Sequence, residues 1–135
     1  MPTKLKTRFD FDRIDRRTAR VTPGLIAAIR DRIVERLRPE KIILFGSRAN
    51  GTATPESDID LMVVLSDTHP LSSTRRRDRF AALQKLFRYR LFGLDAMLLT
   101  NQEVQQLHAE NEGEWDLVLE IFEEGKTLYD RANKA

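Results

Sequence analysis

Leu44-Phe45-Gly46-Ser47-Arg48-Ala49-Asn50-Gly51-Thr52-Ala53-Thr54-Pro55-Glu56-Ser57-Asp58-Ile59-Asp60-Leu61 is the stretch on which the fold of this chain turns. It leaves the end of a short apolar run, Lys41 to Phe45, which reads as a buried strand. Gly46-Ser47 breaks that run, and residues 48–57, rich in Gly, Thr, Ala, Ser and Pro, predict a loop or a short helix. Asp58 to Leu65 predicts a second strand, apolar on both faces except at its start. Asp58 and Asp60 stand two apart, and side chains at i and i+2 leave a strand on the same face. Both carboxylates therefore point to one spot, about 7 Å apart along the backbone. Like charges held together are unfavourable unless a cation lies between them. Mg²⁺ suits the place, since it takes hard oxygen ligands and is usually shared with phosphates. Taken alone, though, Asp-x-Asp reads as two solvated carboxylates at a loop end.

Outward from this stretch, the pattern alternates between helical and extended periods. Upstream, Thr22-Pro23 is a helix start, with Thr22 as N-cap and Pro23 in the first turn. Leu25, Ile29, Ile33 and Leu37 follow at helical spacing, and Pro39 stops the helix. Downstream, residues 66–74 form a polar connection to a helix over about 74–91, with Phe80, Leu83, Leu86 and Phe87 as its core stripe and Gly93 at its end. Leu94 to Leu99 predicts a third strand. Asn101 or Thr100 caps a short helix through about His108, and a last helix runs from about Glu114 to Glu124 and stops at Gly125. The apolar residues of that last helix, from Trp115 to Phe122, cover more than one stripe, so it is well buried or partly an interface. Lys126 to Tyr129 adds a short edge strand. The expected fold class is therefore α/β (α+β): a small mixed sheet of three or four strands packed with helices.

Three further pieces bear on chemistry. Asp95 sits near the start of the apolar third strand, where a charge needs a partner or a metal. It could complete a two-metal site or accept a proton from a hydroxyl; equally, it could be a strand-end carboxylate at the surface or paired with an arginine. Gly46-Ser47 follows the first strand directly, so the backbone can approach a ligand, and N–H groups with the Ser47 hydroxyl can hold phosphate oxygens. Arg48 could reach a triphosphate, or stand in solvent. The chain has two histidines, His69 and His108, far apart in sequence and neither placed as a metal ligand. With no histidine positioned to activate it, Ser47 is not read as a covalent nucleophile. The run Arg75-Arg76-Arg77 with Arg79 reads as a solvated charge run opening a helix.

Gly-Ser, ten residues, Asp-x-Asp in an apolar strand, then a third Asp in a later strand: together these resemble the nucleotidyltransferases of the DNA polymerase β superfamily. More narrowly, the chain resembles the minimal nucleotidyltransferases, small proteins often partnered with HEPN-domain proteins. The likeness is sharpest over residues 41–66 and 93–99 and looser over about 22–130. The resemblance implies a polymerase β-like fold with Mg²⁺ in a two-metal site and ATP as substrate. Asp58 and Asp60 then bind metal and nucleotide, Asp95 ligates a metal and helps deprotonate the acceptor, and Gly46, Ser47 and Arg48 meet the phosphates. It implies a protein adenylyltransferase acting on a HEPN-type toxin ribonuclease, hence an antitoxin. About 35 residues follow the third strand, too few for an added acceptor-holding domain. Transfer to a small molecule such as an aminoglycoside, or neutralisation by binding alone, are the alternatives.

Length and composition agree with one domain. The chain has 135 residues, 41% hydrophobic and 33% charged, with no cysteine, so disulfides and cysteine metal sites are excluded. We expect a charged arm over 1–21 and the nucleotidyltransferase domain over 22–135. No apolar run approaches the roughly 20 residues that span a membrane, and the N-terminus lacks a signal-peptide core, so the expected location is the cytoplasm. Net charge is +2, which argues against broad nucleic-acid binding, but it is unevenly spread. Residues 1–20 hold seven Lys/Arg against three Asp, while 101–125 hold eight Asp/Glu and no Lys or Arg.

Overall fold

A computed structural model describes residues 9–111 and 116–133. Its centre is a four-stranded mixed sheet of β1 (Lys41–Phe45), β2 (Ile59–Leu65), β3 (Leu94–Thr100) and β4 (Lys126–Asp130), in the order β3-β2-β1-β4. β1 runs antiparallel to both β2 and β4, and β2 runs parallel to β3. The parallel pair needs a crossover, and residues 66–93 supply it. β2 is buried on both faces, which is why its sequence after Asp60 is unbroken apolar.

Alternate residues of the strands feed two cores. On one face Ile42, Leu44, Ile59, Leu61, Val63 and Leu65 meet α1 (Pro23–Leu37) and α3 (Arg76–Gln84). On the other, Ile43, Met62, Val64 and Leu99 meet Val118 and Ile121 of α5 (Leu117–Glu124), with Val104 and Leu107 of α4 (Asn101–Glu110) beside them. α1 starts where the sequence signals it: the Thr22 hydroxyl accepts from the Leu25 N–H. Thr100 caps α4 in a capping box with Glu103, one residue before the alternative Asn101. Asp116 caps α5, accepting from the Leu119 N–H. Glu114 and Trp115, where that helix was expected to begin, lie outside the described residues.

Two expectations change. The helix expected over 74–91 is α3 over Arg76–Gln84, tightened into a 3-10 turn at Lys85–Phe87, well before Gly93. The tightening brings Phe87 edge-on to Phe11, with ring centroids 4.9 Å apart, and Phe92 closes the trio. The charged arm expected over 1–21 is, from Phe9 onward, packed onto the domain. Phe11 is 5% exposed within the main core, and the Thr18 hydroxyl accepts from the Leu91 N–H. Its charges hid two aromatic anchors, Phe9 and Phe11, that the sheet's outer layer needed. Among the described residues, no helix is long and apolar enough to cross a membrane.

Candidate active site

The parallel register of β2 and β3 sets Asp60 beside Asp95, and the antiparallel register of β1 and β2 sets Phe45 beside Asp60. Paired residues share a face. Asp58, two residues before Asp60, shares it too. The three carboxylates therefore gather where β2 and β3 both begin, on the face covered further along by α4 and α5. Asp58 and Asp95 are exposed, Asp60 half-buried. Burial pushes the Asp60 carboxyl above the usual range, and the Asp95 and Asp58 carboxylates push the same way. The Asp95 carboxylate accepts from the Ala96 N–H at 2.9 Å.

Two glycines make this crowding possible. Gly46 joins β1 to α2 (Ser47–Asn50) with φ 77° and ψ −157°, a backbone open only to glycine. A Cβ there would lie 2.5 Å from Asp60 Oδ2. Gly93 precedes β3 and is bonded through its carbonyl to the Ile59 N–H. A Cβ on Gly93 would lie 1.9 Å from Asp58 Oδ1. Gly93 was read as a helix stop; it is the floor under the first aspartate. Nothing but its place one residue before the third strand marked it in the sequence.

Ser47 opens α2, a single turn whose Ala49 and Asn50 N–H groups bond back to the Gly46 carbonyl. The Arg48 side chain turns toward the loop of residues 54–57. Its guanidinium donates to the Thr54 and Ser57 carbonyls at 3.1 and 2.9 Å, tying down the loop that delivers Asp58. A planar fork of N–H donors suits clustered carbonyls as well as it suits phosphates.

The arginine run also divides. Arg75, Arg76 and Arg77 are exposed, but Arg79 is 2% exposed and not solvated. It pairs with Glu103 through two hydrogen bonds of 2.6 and 3.1 Å and donates to the carbonyls of Leu71, Ser72 and Leu98. All five of its N–H groups are thereby used. His69 bridges the Leu37 carbonyl and the Leu71 N–H, and His108 meets Asp116.

The donor set at the aspartates fits divalent cations. It is all hard oxygen, and its charges repel one another unrelieved. Among the described residues, no three acidic or imidazole side chains close around a single point. Mg²⁺ does not need such closure, since it takes one or two carboxylates and completes its shell with water and phosphate.

Asp60 and Asp95 thus stand side by side on two parallel strands, with Asp58 just before β2 and the Gly46-Ser47 turn after β1. The chain belongs to the polymerase beta nucleotidyltransferase family, whose model (Polymerase beta, Nucleotidyltransferase) matches residues 28–134. No curated protein matches the chain. Among solved structures it is similar to a candidate nucleotidyltransferase from Sulfolobus solfataricus. Identity is 20%, over 75% of this chain and 84% of that one, with a TM-score of 0.43. So loose a likeness carries no statement about activity.

Proposed function

We propose that this chain is a Mg²⁺-dependent protein adenylyltransferase that moves AMP from ATP to a hydroxyl of a HEPN-type toxin ribonuclease, and so acts as its antitoxin. The observation that carries the transfer chemistry is the register that sets Asp60 beside Asp95, with Asp58 on the same face. The protein acceptor rests on the likeness of residues 41–66 and 93–99 to the minimal nucleotidyltransferases.

Bound Mg²⁺ would neutralise triphosphate charge and ease loss of pyrophosphate. Asp58 and Asp60 would hold it, one from the rim and one half-buried. Gly46 lets the backbone come close to the phosphates, and Ser47 offers a hydroxyl and N–H groups there. Asp95, exposed on the edge strand, faces an arriving acceptor and takes the proton from its hydroxyl. The acceptor oxygen then bonds to the α-phosphorus, the bond to the β-phosphate oxygen breaks, and pyrophosphate leaves. The protein's part is mainly positioning.

Intact mass spectrometry of the chain mixed with its HEPN partner, ATP and Mg²⁺ tests this. We expect one or more AMP units on the partner, absent with Asp58→Asn/Asp60→Asn. No gain in mass with wild type would sink protein adenylylation, and activity on an aminoglycoside panel without partner would shift the acceptor to a small molecule. A second reading, neutralisation by contact, draws on the groove of about 300 Å³ beside α4 and α5, lined by Val104, Val118, Leu119 and Phe122. Full protection of cells by the double variant would favour that reading.

A further inference from the structure

We propose that the surface formed by residues 13–20 and 88–91 is a docking face for an acidic protein, which delivers its acceptor hydroxyl to Asp95 across the β3 edge of the sheet. The proposal rests on the protein-acceptor reading above.

The two segments form one surface. Phe11 packs against Phe87 and Phe92, and the Leu91 N–H is bonded to the Thr18 hydroxyl. That surface belongs to the α1 and α3 side of the sheet, opposite to the carboxylates, and approaches them along the chain at the β3 edge. Leu91 is two residues from Gly93, at most about 7 Å of chain, and Gly93 lies against Asp58. β3 is an edge strand, so nothing in the sheet stands outside Asp95.

Chemistry then selects the occupant. Large exposed apolar side chains are few among the described residues: Ile14 (68%), Leu91 (48%), Tyr89 (43%) and Leu119. The first three belong to these two joined segments. The same segments carry Arg16, Arg20 and Arg88, exposed and without an ion pair among the described residues. The acids at and just before this segment are used: Asp10 is paired with Arg13, Asp12 with Arg32 and Asp15 with Arg17. A recess of about 440 Å³ lined by Phe9, Arg16, Arg17, Ala19, Arg20 and Thr22 offers seats for carboxylates. Arginine, tyrosine and branched aliphatics without lysine is the composition of a protein-binding centre. A nucleic-acid surface is more polar and more strongly positive. The cations here call for acids on the partner, and the apolar residues call for an apolar counterpart.

The test uses the whole chain and two probes, a random glutamate–tyrosine copolymer and polyuridylate RNA. Binding of each is read by fluorescence anisotropy at physiological salt without nucleotide. We expect wild type to bind the copolymer and Arg16→Glu/Arg20→Glu/Arg88→Glu to bind it at least about tenfold more weakly. Tyr89→Ser/Leu91→Ser, which keeps the charge, is expected to lose about fivefold. Arg75→Glu/Arg76→Glu/Arg77→Glu makes the same charge change at the far end of β3 and is expected to stay within about twofold. Affinity for Mg²⁺-ATP, measured in parallel, should be the same in all four proteins. Failure to bind the copolymer, an equal loss in the control variant, or stronger binding of the RNA would overturn the proposal; the last would make the face a nucleic-acid surface. Because docking is read without transfer, a failure of AMP transfer and a failure of this face are told apart.

Discussion

Gly93 owes its importance to an atom it lacks. A methyl group there would meet Asp58 Oδ1 at 1.9 Å and Cγ at 2.8 Å, so the carboxylate would have to swing away. No positive φ is involved, and the fold can survive the change. We predict that Gly93→Ala keeps its circular dichroism spectrum but slows AMP transfer at least about tenfold, since a misplacement near 1 Å can cost that much. An unchanged rate in a mass time course would remove Gly93 from the site. Asp60 presents the opposite case, a group whose charge works against folding. Its carboxyl is raised by burial and by two neighbouring carboxylates. A raised carboxyl favours the folded state only while protonated; stability falls as pH rises through the folded value and stays lowered at neutral pH. Asp60→Asn should therefore abolish transfer yet raise the thermal midpoint at pH 7, the gain in stability being less than about 1 kcal/mol because Asp60 is partly solvated. A lower midpoint would contradict the electrostatic account.

Elements are joined by one buried cation. Arg79 on α3 reaches Glu103 in the first turn of α4 and the carbonyl of Leu98 in β3, fastening the end of β3 opposite to Asp95. Breaking a buried pair leaves a charge or carbonyls without partners. We predict that Arg79→Met costs about 3 kcal/mol in urea unfolding, and that Arg79→Lys recovers little, having neither the fork nor five donors. Glu103 is held below its ordinary 4.5, first by the Arg79 guanidinium and also by the Thr100 N–H. A lowered carboxyl contributes stability above its unfolded value and loses it as pH falls through the folded one. Stability should thus decline below about pH 4.5, and Glu103→Gln should flatten that limb of the profile. An identical acid limb in the variant would assign the decline to Asp10, Asp15 and Asp116, which are lowered as well.

For the whole molecule, the site is a load that substrate should relieve. On the proposed reading, the three carboxylates at one end of the sheet would bind Mg²⁺-ATP in the folded state and not in the unfolded chain. At a hundredfold excess over its dissociation constant a ligand adds about 2.7 kcal/mol. We predict a matching rise in thermal midpoint for wild type and none for Asp58→Asn/Asp60→Asn. An equal rise in both would place nucleotide elsewhere on the molecule.

The strands, the caps at Thr22 and Thr100 and the shared face of Asp58 and Asp60 follow from local rules, periodicity and capping chemistry, which act within a few residues. That is why residues 41–65 could be read from the sequence alone and why the family could be anticipated. Which strands are neighbours is not a local property. The pairing of Asp60 with Asp95, the contact of Gly93 with Asp58 and the place of Phe11 beside Phe87 join residues 35 to 76 apart, and only packing decides them. Arg79 could have been suspected, since it lies four residues before Leu83 on the core stripe, but its neighbours Arg75 to Arg77 masked it as one more solvated charge. A charge is solvated or buried according to what stands opposite, and Glu103 stands 24 residues away. Sequence determined the parts of this site; tertiary structure decided which of them meet, because burial and charge repulsion belong to the assembled surface and not to the chain.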